Sequence, residues 1–237
     1  MNIQKLYSLT RQAVEKMNMI SEGDKIAVGL SGGKDSVTLL YALAGIRRFY
    51  PEKFEVTAVT VDLGLGMDFA AMAELCDELD VPYHIVKTDI YDIVYKERKE
   101  NNPCSLCAKL RKGALADKAL ELDCNTIAYA HHRDDFVNTL FMSLLLEGRI
   151  HSLSPKFTLE KTGLKLIRPL YLISEADIKG FRNKMQFKAV TNMCPMDGVS
   201  KRTDIDNLVN KLAKEYPDIR KKVFSAIEKA DFNDWEK

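Results

Sequence analysis

The sequence lacks the features that direct a protein into a membrane or an export pathway. No stretch of its 237 residues approaches the run of about 18 apolar residues that is needed to cross a bilayer. The first residues, MNIQKLYSLTRQ, have no apolar segment of the kind that a signal peptide carries. We therefore expect no membrane association and a cytoplasmic location.

The sequence also lacks an excess of charge and an even set of cysteines. Lysine plus arginine number 35 and aspartate plus glutamate 34, so the formal net charge is +1 and a polyanion has to bind through local patches. The five cysteines are an odd number in a chain without an export signal, which argues against a disulfide framework. We expect free thiols, metal ligands or redox groups.

The sequence does contain a regular alternation of strand and helix patterns. Short runs rich in valine and isoleucine alternate with segments of helical periodicity. The predicted strands are 25–30, 56–63, 83–88, 125–130 and 164–170, and the predicted helices are 35–49, 68–80, 105–122, 134–148 and 174–185. This alternation predicts an α/β fold, with a five-stranded parallel sheet that is covered by helices on both faces.

Helical patterns flank the predicted sheet at both ends of the chain. Residues 2–20 keep their apolar side chains on one face, and residues 200–230 indicate two helices hinged near Pro217. The charged connection 89–103 is expected to be a flexible loop. The predicted organisation is an N-terminal helix at 1–20, an α/β domain at 21–190, and a C-terminal cysteine turn with helices at 191–237.

A turn rich in serine and glycine, Ser31-Gly32-Gly33-Lys34-Asp35-Ser36, follows the first predicted strand. Its glycines let the main chain approach a ligand, and the N–H groups and positive end of the following helix suit phosphate oxygens. The Walker A pattern does not fit, because three residues rather than four separate Gly29 from Gly33-Lys34 and Asp35 replaces the hydroxyl residue. The turn therefore predicts an anion site other than that of a standard γ-phosphate hydrolase.

The string SGGKDS in this position resembles the PP-loop of the ATP pyrophosphatase superfamily, whose members split ATP between the α and β phosphates. The resemblance implies that an acceptor is adenylated and that pyrophosphate leaves. It implies that Lys34 neutralises charge and that Asp35 positions magnesium. The implied ATP contacts are Ser31, Gly32, Gly33, Lys34, Asp35 and Ser36.

The end of the second predicted strand is a further candidate part of this site. Members of the superfamily seat adenine against this strand end, so the resemblance makes Val61 and Asp62 candidate adenosine contacts. The alternative, equally supported, is that Asp62 only caps a turn.

Three of the five cysteines are candidate ligands of one metal centre. Cys104 and Cys107 form a C-x-x-C pair at a predicted helix start, and the i, i+3 spacing places both thiols on one face. Cys194 is distant in sequence, in a turn before a proline. The three suit an iron–sulfur cluster with one iron lacking a protein ligand, or zinc with a histidine as fourth ligand. Cys76 and Cys124 are expected to be packing residues.

Two acidic residues, Asp134 and Asp135, follow the fourth predicted strand in the string AHHRDD. Because ligands collect at the carboxyl ends of parallel strands, these residues are candidates for binding magnesium or ordering a polyphosphate. The alternative is that they cap the following helix and that the histidines are polar surface residues.

The order SGGKDS, PCSLCAKLRKG, AHHRDD and a last cysteine before proline is similar to the TtcA family of tRNA 2-thiocytidine synthetases, across residues of about 20–230. In that family three cysteines hold a [4Fe-4S] cluster, and cytidine at tRNA position 32 is thiolated with ATP and magnesium. The resemblance implies that Cys104, Cys107 and Cys194 are cluster ligands, with zinc the less favoured metal. It gives Asp134 to the nucleotide and Asp135 to magnesium.

The resemblance also implies partners and leaves alternatives open. The implied partners are tRNA and a sulfur donor such as a cysteine desulfurase or free sulfide, and a homodimer is a further option. A persulfide on Cys104 or Cys107 is the competing route for sulfur. At Asn138 many members of the family have glutamate, so one expected carboxylate is missing here.

Local basic groups offer contacts for RNA phosphates. We expect Lys109, Arg111 and Lys112 to matter most, because they follow the cysteines on one helix. The other basic groups, each of which equally suits a solvated helix face, are Arg47-Arg48, Lys96 with Arg98-Lys99, Lys201-Arg202 and Arg220-Lys221-Lys222.

Two other functions compete with tRNA thiolation at this point. One is a PP-loop adenylating ligase of the lysidine-synthetase type, which needs no cluster. The other is a non-catalytic ATP-binding module that senses redox state through its cysteines.

Overall fold

A computed structural model describes residues 1–98, 103–187, 193–194 and 201–230. Its six strands are β1 (Asp24–Gly29), β2 (Phe54–Asp62), β3 (Tyr83–Lys87), β4 (Thr126–Ala128), β5 (Lys156–Thr158) and β6 (Lys165–Ile167). They form one sheet in the order β3-β2-β1-β4-β6-β5, in which β5 alone runs antiparallel to its neighbour. The predicted α/β fold with five parallel strands is confirmed.

The sixth strand, β5, was not predicted from the sequence. It is three residues long and pairs antiparallel with β6, with Phe157 opposite Leu166. A three-residue segment is too short for a period of two to stand out, and its pairing depends on the turn that precedes β6.

Eight α-helices connect and flank the described strands. They are α1 (Ile3–Lys16), α2 (Lys34–Ile46), α3 (Ala70–Glu78), α4 (Pro103–Glu121), α5 (Arg133–Met142), α6 (Glu175–Met185), α7 (Lys201–Glu215) and α8 (Ile219–Lys229). The two C-terminal helices separate beside Pro217, as predicted. The division of the chain at residues 20 and 190 stays a prediction.

The connection 89–103 differs from the expected flexible loop. Residues Asp92–Glu97 form a π-helical segment whose Val94 is fully buried. This short segment packs against Cys107 of α4, and that contact was not visible in the charged local sequence. Residues 99–102 lie outside the described chain.

Helices cover both faces of the sheet because the central strands are apolar on both sides. In β1, Ile26, Ala27 and Val28 are all completely buried. Ile26 and Val28 pack with α2, whereas Ala27 packs with α4 on the opposite face. This alternation gives the two hydrophobic layers that hold the sheet between the helices.

The N-terminal helix is fixed to α2 at a glycine. A Cβ atom added to Gly45 would lie 2.1 Å from Cζ of Tyr7, so the tyrosine ring occupies the place of a side chain. The close approach of α1 and α2 therefore needs glycine at this position.

The strand order locates the expected ligand crevice. From β1 the chain moves outward to β2 and β3, and it then returns to β4 on the other side of β1. In open parallel sheets, ligands bind beyond the carboxyl ends of the strands at such a switch point. Two of the predicted motifs, SGGKDS after β1 and AHHRDD after β4, follow these two strands. In the described chain, no helix combines the length and apolar character that a membrane crossing requires.

Candidate active site

The loop after β1 is held by hydrogen bonds to Ser36 and leads into the start of α2; the main-chain N–H of Ser31 itself donates to Ser36 Oγ at 3.2 Å. Gly32 has φ +77°, a left-handed conformation that favours glycine. The side chain of Ser31 donates to Ser36 Oγ at 3.1 Å, and Ser36 in turn donates to the carbonyl of Gly33 at 3.0 Å. Gly33 precedes α2 without a side-chain cap, so no capping side chain competes with an anion for the first N–H groups of the helix.

Lys34 stands between two carboxylates at the start of α2. Its Nζ lies 3.0 Å from Asp35 Oδ2 and 3.3 Å from Glu175 Oε1. Burial by itself lowers the pKa of Lys34, but Asp35 and Glu175 outweigh burial and the pKa is raised. Lys34 is therefore a fixed positive charge at neutral pH. Glu175, the first residue of α6, was missed by the sequence analysis and signalled there only by its place after the fifth predicted strand.

His132 connects the loop after β1 with the acidic residues after β4. Its Nε2 lies 3.8 Å from Asp35 Oδ1 and 3.6 Å from Asp135 Oδ2, and its Nδ1 lies 4.0 Å from Asp134 Oδ2. The structure therefore brings the two predicted motifs together. Asp35 Oδ1 and His132 Nδ1 are both buried without a hydrogen-bond partner in the described chain. Such orphaned polar atoms indicate a ligand that the protein itself does not supply.

The acidic residues fit magnesium only together with a nucleotide. Among the described residues, no three His, Cys, Asp or Glu side chains form a set of ligands for one metal ion. Magnesium is usually held by one or two carboxylates, with phosphate oxygens and waters completing its shell. Asp35, with its unpaired Oδ1, and Asp135 fit that smaller role.

Asp135 is held as an ionised carboxylate at the start of α5. Its Oδ2 accepts from the His132 main-chain N–H at 2.9 Å, and its Oδ1 lies 3.5 Å from Arg202 Nη1. Burial alone raises the pKa of Asp135, but the imidazoles of His132 and His131, Arg202 and the N–H bond outweigh it and lower the pKa. Asp135 therefore caps α5, as the alternative interpretation expected. The same carboxylate also lies beside the imidazole of His132, which contacts Asp35 of the loop after β1.

Asp134 is engaged within the protein rather than left open toward a nucleotide. Its Oδ2 accepts from the Glu175 main-chain N–H at 2.8 Å, and its Oδ1 pairs with Arg220 Nη1 at 3.3 Å. The first of these bonds fixes the start of α6, and the expected contact of Asp134 with a nucleotide stays a prediction. Asp62 likewise accepts from the N–H of Gly64 at 3.0 Å, as the turn-capping alternative expects.

Arg220 joins three helices at the back of the site. Its Nη2 donates to Asp206 Oδ1 at 2.8 Å and to Asn210 Oδ1 at 2.9 Å, and its Nη1 donates to Asn138 Oδ1 at 3.3 Å. Asn138 in turn donates to Asp206 at 3.0 Å. The Asn138 side chain thus donates to Asp206 and accepts from Arg220. An ionised glutamate at this position has no hydrogen to donate and could not make both bonds.

The orientation of Arg220 differs from the expectation that residues 220–222 form a basic surface group, which either contacts RNA or is a solvated helix face. The arginine points inward and binds the network around Asp134, whereas Lys221 and Lys222 are exposed. Helical periodicity alone does not reveal this network, because its members come from α5, α7 and α8.

The three predicted cysteine ligands lie in one neighbourhood. Tyr95 Oη is 4.0 Å from Cys194 Sγ. Burial, then Cys194, and then Cys104 and Cys107 raise the pKa of the Tyr95 hydroxyl. Burial raises the pKa of the Cys107 thiol, Arg111 opposes the shift, and Cys194 and Cys104 add to it. The thiols therefore influence one another electrostatically, although they do not yet have the spacing of ligands to one metal ion.

This trio fits a cluster in its chemistry and number. Thiolates are the usual ligands of iron–sulfur clusters, and three of them leave one iron without a protein ligand. Zinc needs a fourth ligand, but His131 is hydrogen bonded to Arg168 and His132 lies among the carboxylates. The choice between a cluster and zinc stays a prediction.

The remaining cysteines have the packing role that was predicted. Cys76 and Cys124 are buried in two hydrophobic clusters on opposite faces of the sheet. Burial raises the pKa of the Cys76 thiol to about 12 and also raises that of Cys124. Both are therefore poor nucleophiles and poor ligands at neutral pH.

The loop, the strand order and the crevice define a nucleotide-binding domain of the PP-loop class. Residues 5–209 match the family model described as PP-loop domain. Among solved structures, the chain is similar to U34-tRNA thiolase NcsA from Methanococcus maripaludis with its [4Fe-4S] cluster, with a TM-score of 0.76 and 24% identity over 93% of this chain and 76% of that one. It is also similar to NH3-dependent NAD synthetase from Campylobacter jejuni, with a TM-score of 0.51, 17% identity and coverage of 96% and 92%.

Curated relatives narrow the class further. The tRNA-cytidine(32) 2-sulfurtransferase of Geobacter sulfurreducens is 36% identical over 94% of this chain and 88% of its own length. The protein of the same name from Dechloromonas aromatica is 36% identical over 92% of this chain and 77% of its own length. The chain therefore belongs to the PP-loop family and, within it, to the TtcA family of tRNA 2-thiocytidine synthetases, as the sequence motifs predicted.

Proposed function

We propose that this protein is an ATP-dependent tRNA sulfurtransferase that replaces the 2-oxygen of a cytidine, at tRNA position 32, by sulfur. The observation that carries the proposal is a PP-loop with Lys34 and Asp35 in the same fold as three neighbouring thiols, of which Cys107 packs near Val61 and Leu63 at the end of β2. The names of the curated relatives support tRNA and cytidine as the substrate class.

The reaction needs activation because a base carbonyl oxygen is a poor leaving group. Attack of this oxygen on the α-phosphorus of ATP forms an adenylated base and releases pyrophosphate. A sulfur nucleophile then adds to the activated carbon, the C–O bond breaks, and AMP leaves with the oxygen. ATP thus supplies the free energy, and the protein supplies orientation and charge neutralisation.

The residues of the ATP half hold the phosphates and the charge that develops on them. The N–H groups at the start of α2 bind phosphate oxygens, with Ser31 and Ser36 beside them. Lys34 stays protonated between its two carboxylates, so it neutralises pyrophosphate as it leaves. Asp35 and Asp135 would hold magnesium jointly with the phosphates.

The residues of the sulfur half would hold a [4Fe-4S] cluster. Cys104, Cys107 and Cys194 are its proposed ligands, and the iron without a protein ligand supplies a place to bind sulfur. NcsA, the solved thiolase with a similar fold, carries such a cluster. Grouped thiols weigh against a cluster-free ligase of the lysidine-synthetase type. Lys109, Arg111 and Lys112, all exposed on the helix that carries two of these thiols, are the proposed RNA contacts.

The test is a reconstituted reaction. The protein is purified without oxygen, supplied with iron and sulfide, and incubated with unmodified tRNA, ATP and magnesium; nucleosides are then analysed by mass spectrometry. We expect 2-thiocytidine and about one AMP and one pyrophosphate per sulfur atom inserted. Lys34→Met should lower the rate at least about 100-fold while the iron content stays unchanged.

Two outcomes would contradict the proposal. AMP release without sulfur insertion would favour the ligase, because a ligase also adenylates the base but inserts no sulfur. Binding of ATP without any AMP release in the presence of tRNA would favour the non-catalytic redox module.

A further inference from the structure

A buried arginine without a carboxylate partner lies between the two half-sites. Arg168, directly after β6, is only 5% exposed. Its Nε donates to His131 Nδ1 at 3.1 Å, its Nη1 donates to the carbonyl of Ser154, and its guanidinium lies 5.2 Å from the ring centre of Phe157. The ion pairs seen in the described residues include none for Arg168. Buried cations are usually paired with acids, so this one is unusual.

Three more basic side chains surround this arginine. Arg111 and Lys112 come from α4, and Arg202 comes from α7; all three are exposed. Burial lowers the pKa of Lys112, and so do the positive charges of Arg168, Arg202 and Arg111. The distances agree: Arg168 donates to His131, the neighbouring His132 lies 3.6 Å from Asp135, and Arg202 lies 3.5 Å from the same carboxylate. The basic side chains therefore share one region, although they come from separate elements.

The nearby groups do not balance this charge. His131 accepts from Arg168 through Nδ1, so this nitrogen carries no proton. Burial and the charges of Arg168, Arg202 and Lys112 outweigh the opposing Asp135 and lower the pKa of His131 to about 3. The imidazole is therefore neutral at pH 7. Asp135 is the one carboxylate that an ion pair joins to the group in the described chain, at 3.5 Å from Arg202.

The basic side chains have contacts toward both halves of the candidate site, the thiols and the PP-loop. Arg111 lowers the pKa of the Cys107 thiol against the effect of burial, which places the two side chains near each other on the sulfur side. On the other side, Arg202 contacts Asp135, which leads through His132 to Asp35 of the PP-loop. An anion bound here would therefore lie between the thiols and the ATP phosphates.

We propose that Lys112 and Arg202 form the rim, and Arg168 the buried floor, of a phosphate subsite that binds a backbone phosphodiester of the RNA next to the nucleotide being modified. This inference rests on the proposed function and deepens it. Surface cations alone would bind RNA in many orientations, whereas a subsite with a buried floor fixes one phosphate and so positions the base.

Salt dependence of tRNA binding tests the subsite. Binding of unmodified tRNA to the intact protein is measured by filter retention over a series of KCl concentrations, without ATP. Lys112→Gln and Arg202→Gln should each reduce the slope of log affinity against log salt by about one, because each removes one phosphate contact. Arg168→Gln should weaken binding about tenfold at fixed salt. Arg11→Gln, which removes an exposed arginine of α1 paired with Glu15, is the matched control and should leave the slope unchanged.

A second measurement identifies the source of the phosphate. Pyrophosphate and a non-hydrolysable ATP analogue should bind the Lys112→Gln and Arg168→Gln variants as they bind the unaltered protein; Arg202→Gln is left out of this measurement because Arg202 also contacts Asp135. If the variants lose affinity for these ligands and keep the salt slope for tRNA, the cations belong to the nucleotide site and the subsite is wrong. The exposed positions of Lys112 and Arg202 keep the test valid if Arg168→Gln does not fold.

The remaining outcomes separate this inference from the proposed function. Unchanged tRNA binding in all variants, with thiolation by the unaltered protein, overturns the subsite alone. A reduced slope in the variants, with no thiolation by the unaltered protein, supports the subsite and overturns the function. Failure of the unaltered protein to bind tRNA overturns both.

Discussion

The ATP half and the sulfur half of the candidate site differ in how much of their geometry the protein supplies. In the ATP half, Lys34 is fixed by two carboxylates, and Ser31 and Ser36 are hydrogen bonded within the loop. In the sulfur half, the thiols are neighbours without ligand spacing, and the cations beside them have few acids to balance them. The difference indicates that the fold by itself fixes the side chains of the ATP half, whereas in the proposed function metal and RNA would complete the sulfur half.

The origin of this difference lies in the elements that build each half. The PP-loop and Asp135 follow β1 and β4, neighbouring strands in the middle of the sheet. The thiols come from the first turns of α4 and from Cys194, outside the sheet. Central strands are fixed by pairing on both sides, so residues at their ends inherit defined positions.

The largest expected effect comes from breaking the sulfur half alone. Cys194→Ala should abolish thiolation and lose iron, because two thiolates do not hold a cluster as three do. Binding of an ATP analogue should stay unchanged, since the ATP half is built without Cys194. Iron analysis and calorimetric titration with the analogue measure the two effects.

The buried Cys124 provides the matched control for this variant. Cys124→Ala should keep iron and thiolation while losing about 1 kcal/mol of stability through the lost packing. If Cys194→Ala keeps both iron and thiolation, Cys194 is not a ligand, and the proposed difference between the ATP half and the sulfur half is wrong.

A smaller effect is expected from loosening the back of the ATP half. Arg220→Gln leaves Asp134 and Asp206 without their cation, so the free energy of unfolding in urea should fall by about 3 kcal/mol. Affinity for the ATP analogue should fall as well, because Asp134 fixes the start of α6 beside Lys34.

Two further substitutions sharpen this prediction. Arg220→Lys should recover only part of the loss, because one ammonium does not replace a planar guanidinium with several donors. Lys222→Gln, an exposed change on the same helix, should alter stability by less than about 0.5 kcal/mol. Equal effects of Arg220→Gln and Lys222→Gln would show that the network is unimportant.

The last expected effect, confined to acidic pH, is a pH dependence of stability from His131. Its pKa is lowered to about 3 in the folded protein, so as the pH falls below about 6.5 the unfolded chain binds a proton that the folded one does not. The titration of His131 therefore has no effect on stability above that pH, and it lowers the free energy of unfolding by about 3 kcal/mol between pH 6.5 and pH 4.

His131→Asn isolates this contribution, because an asparagine oxygen still accepts from Arg168. The variant should lose the decline in unfolding free energy between pH 6.5 and pH 4 when both proteins are unfolded in urea across that range. A slope that is the same in both proteins would show that another group titrates there.

Much of the fold and part of the site were predictable because their signals are local. The strands of the sheet centre are apolar runs, and the PP-loop is one continuous string after β1. The trio of cysteines was recognised because its residue type is rare and its order matches a family. The roles of the individual site residues are still predictions.

The features that were not predictable depend on contacts between distant elements. Glu175 meets Lys34, and Arg220 meets Asp134, only after the sheet has placed their helices together. The apolar residues around Arg168 in the sequence indicate a strand. They do not indicate that the guanidinium of Arg168 is buried beside His131. Side-chain direction is set by tertiary packing, which a periodic pattern does not encode.

The contact between Arg220 and Asp134 gives the last helix a share in the crevice. A polypeptide that stopped before α8 would leave the carboxylates of Asp134 and Asp206 without the arginine that pairs with both, and Asp134 is the residue that holds the start of α6. The two C-terminal helices thus support the back of the candidate site, and a fragment cut after the sheet would lack that support.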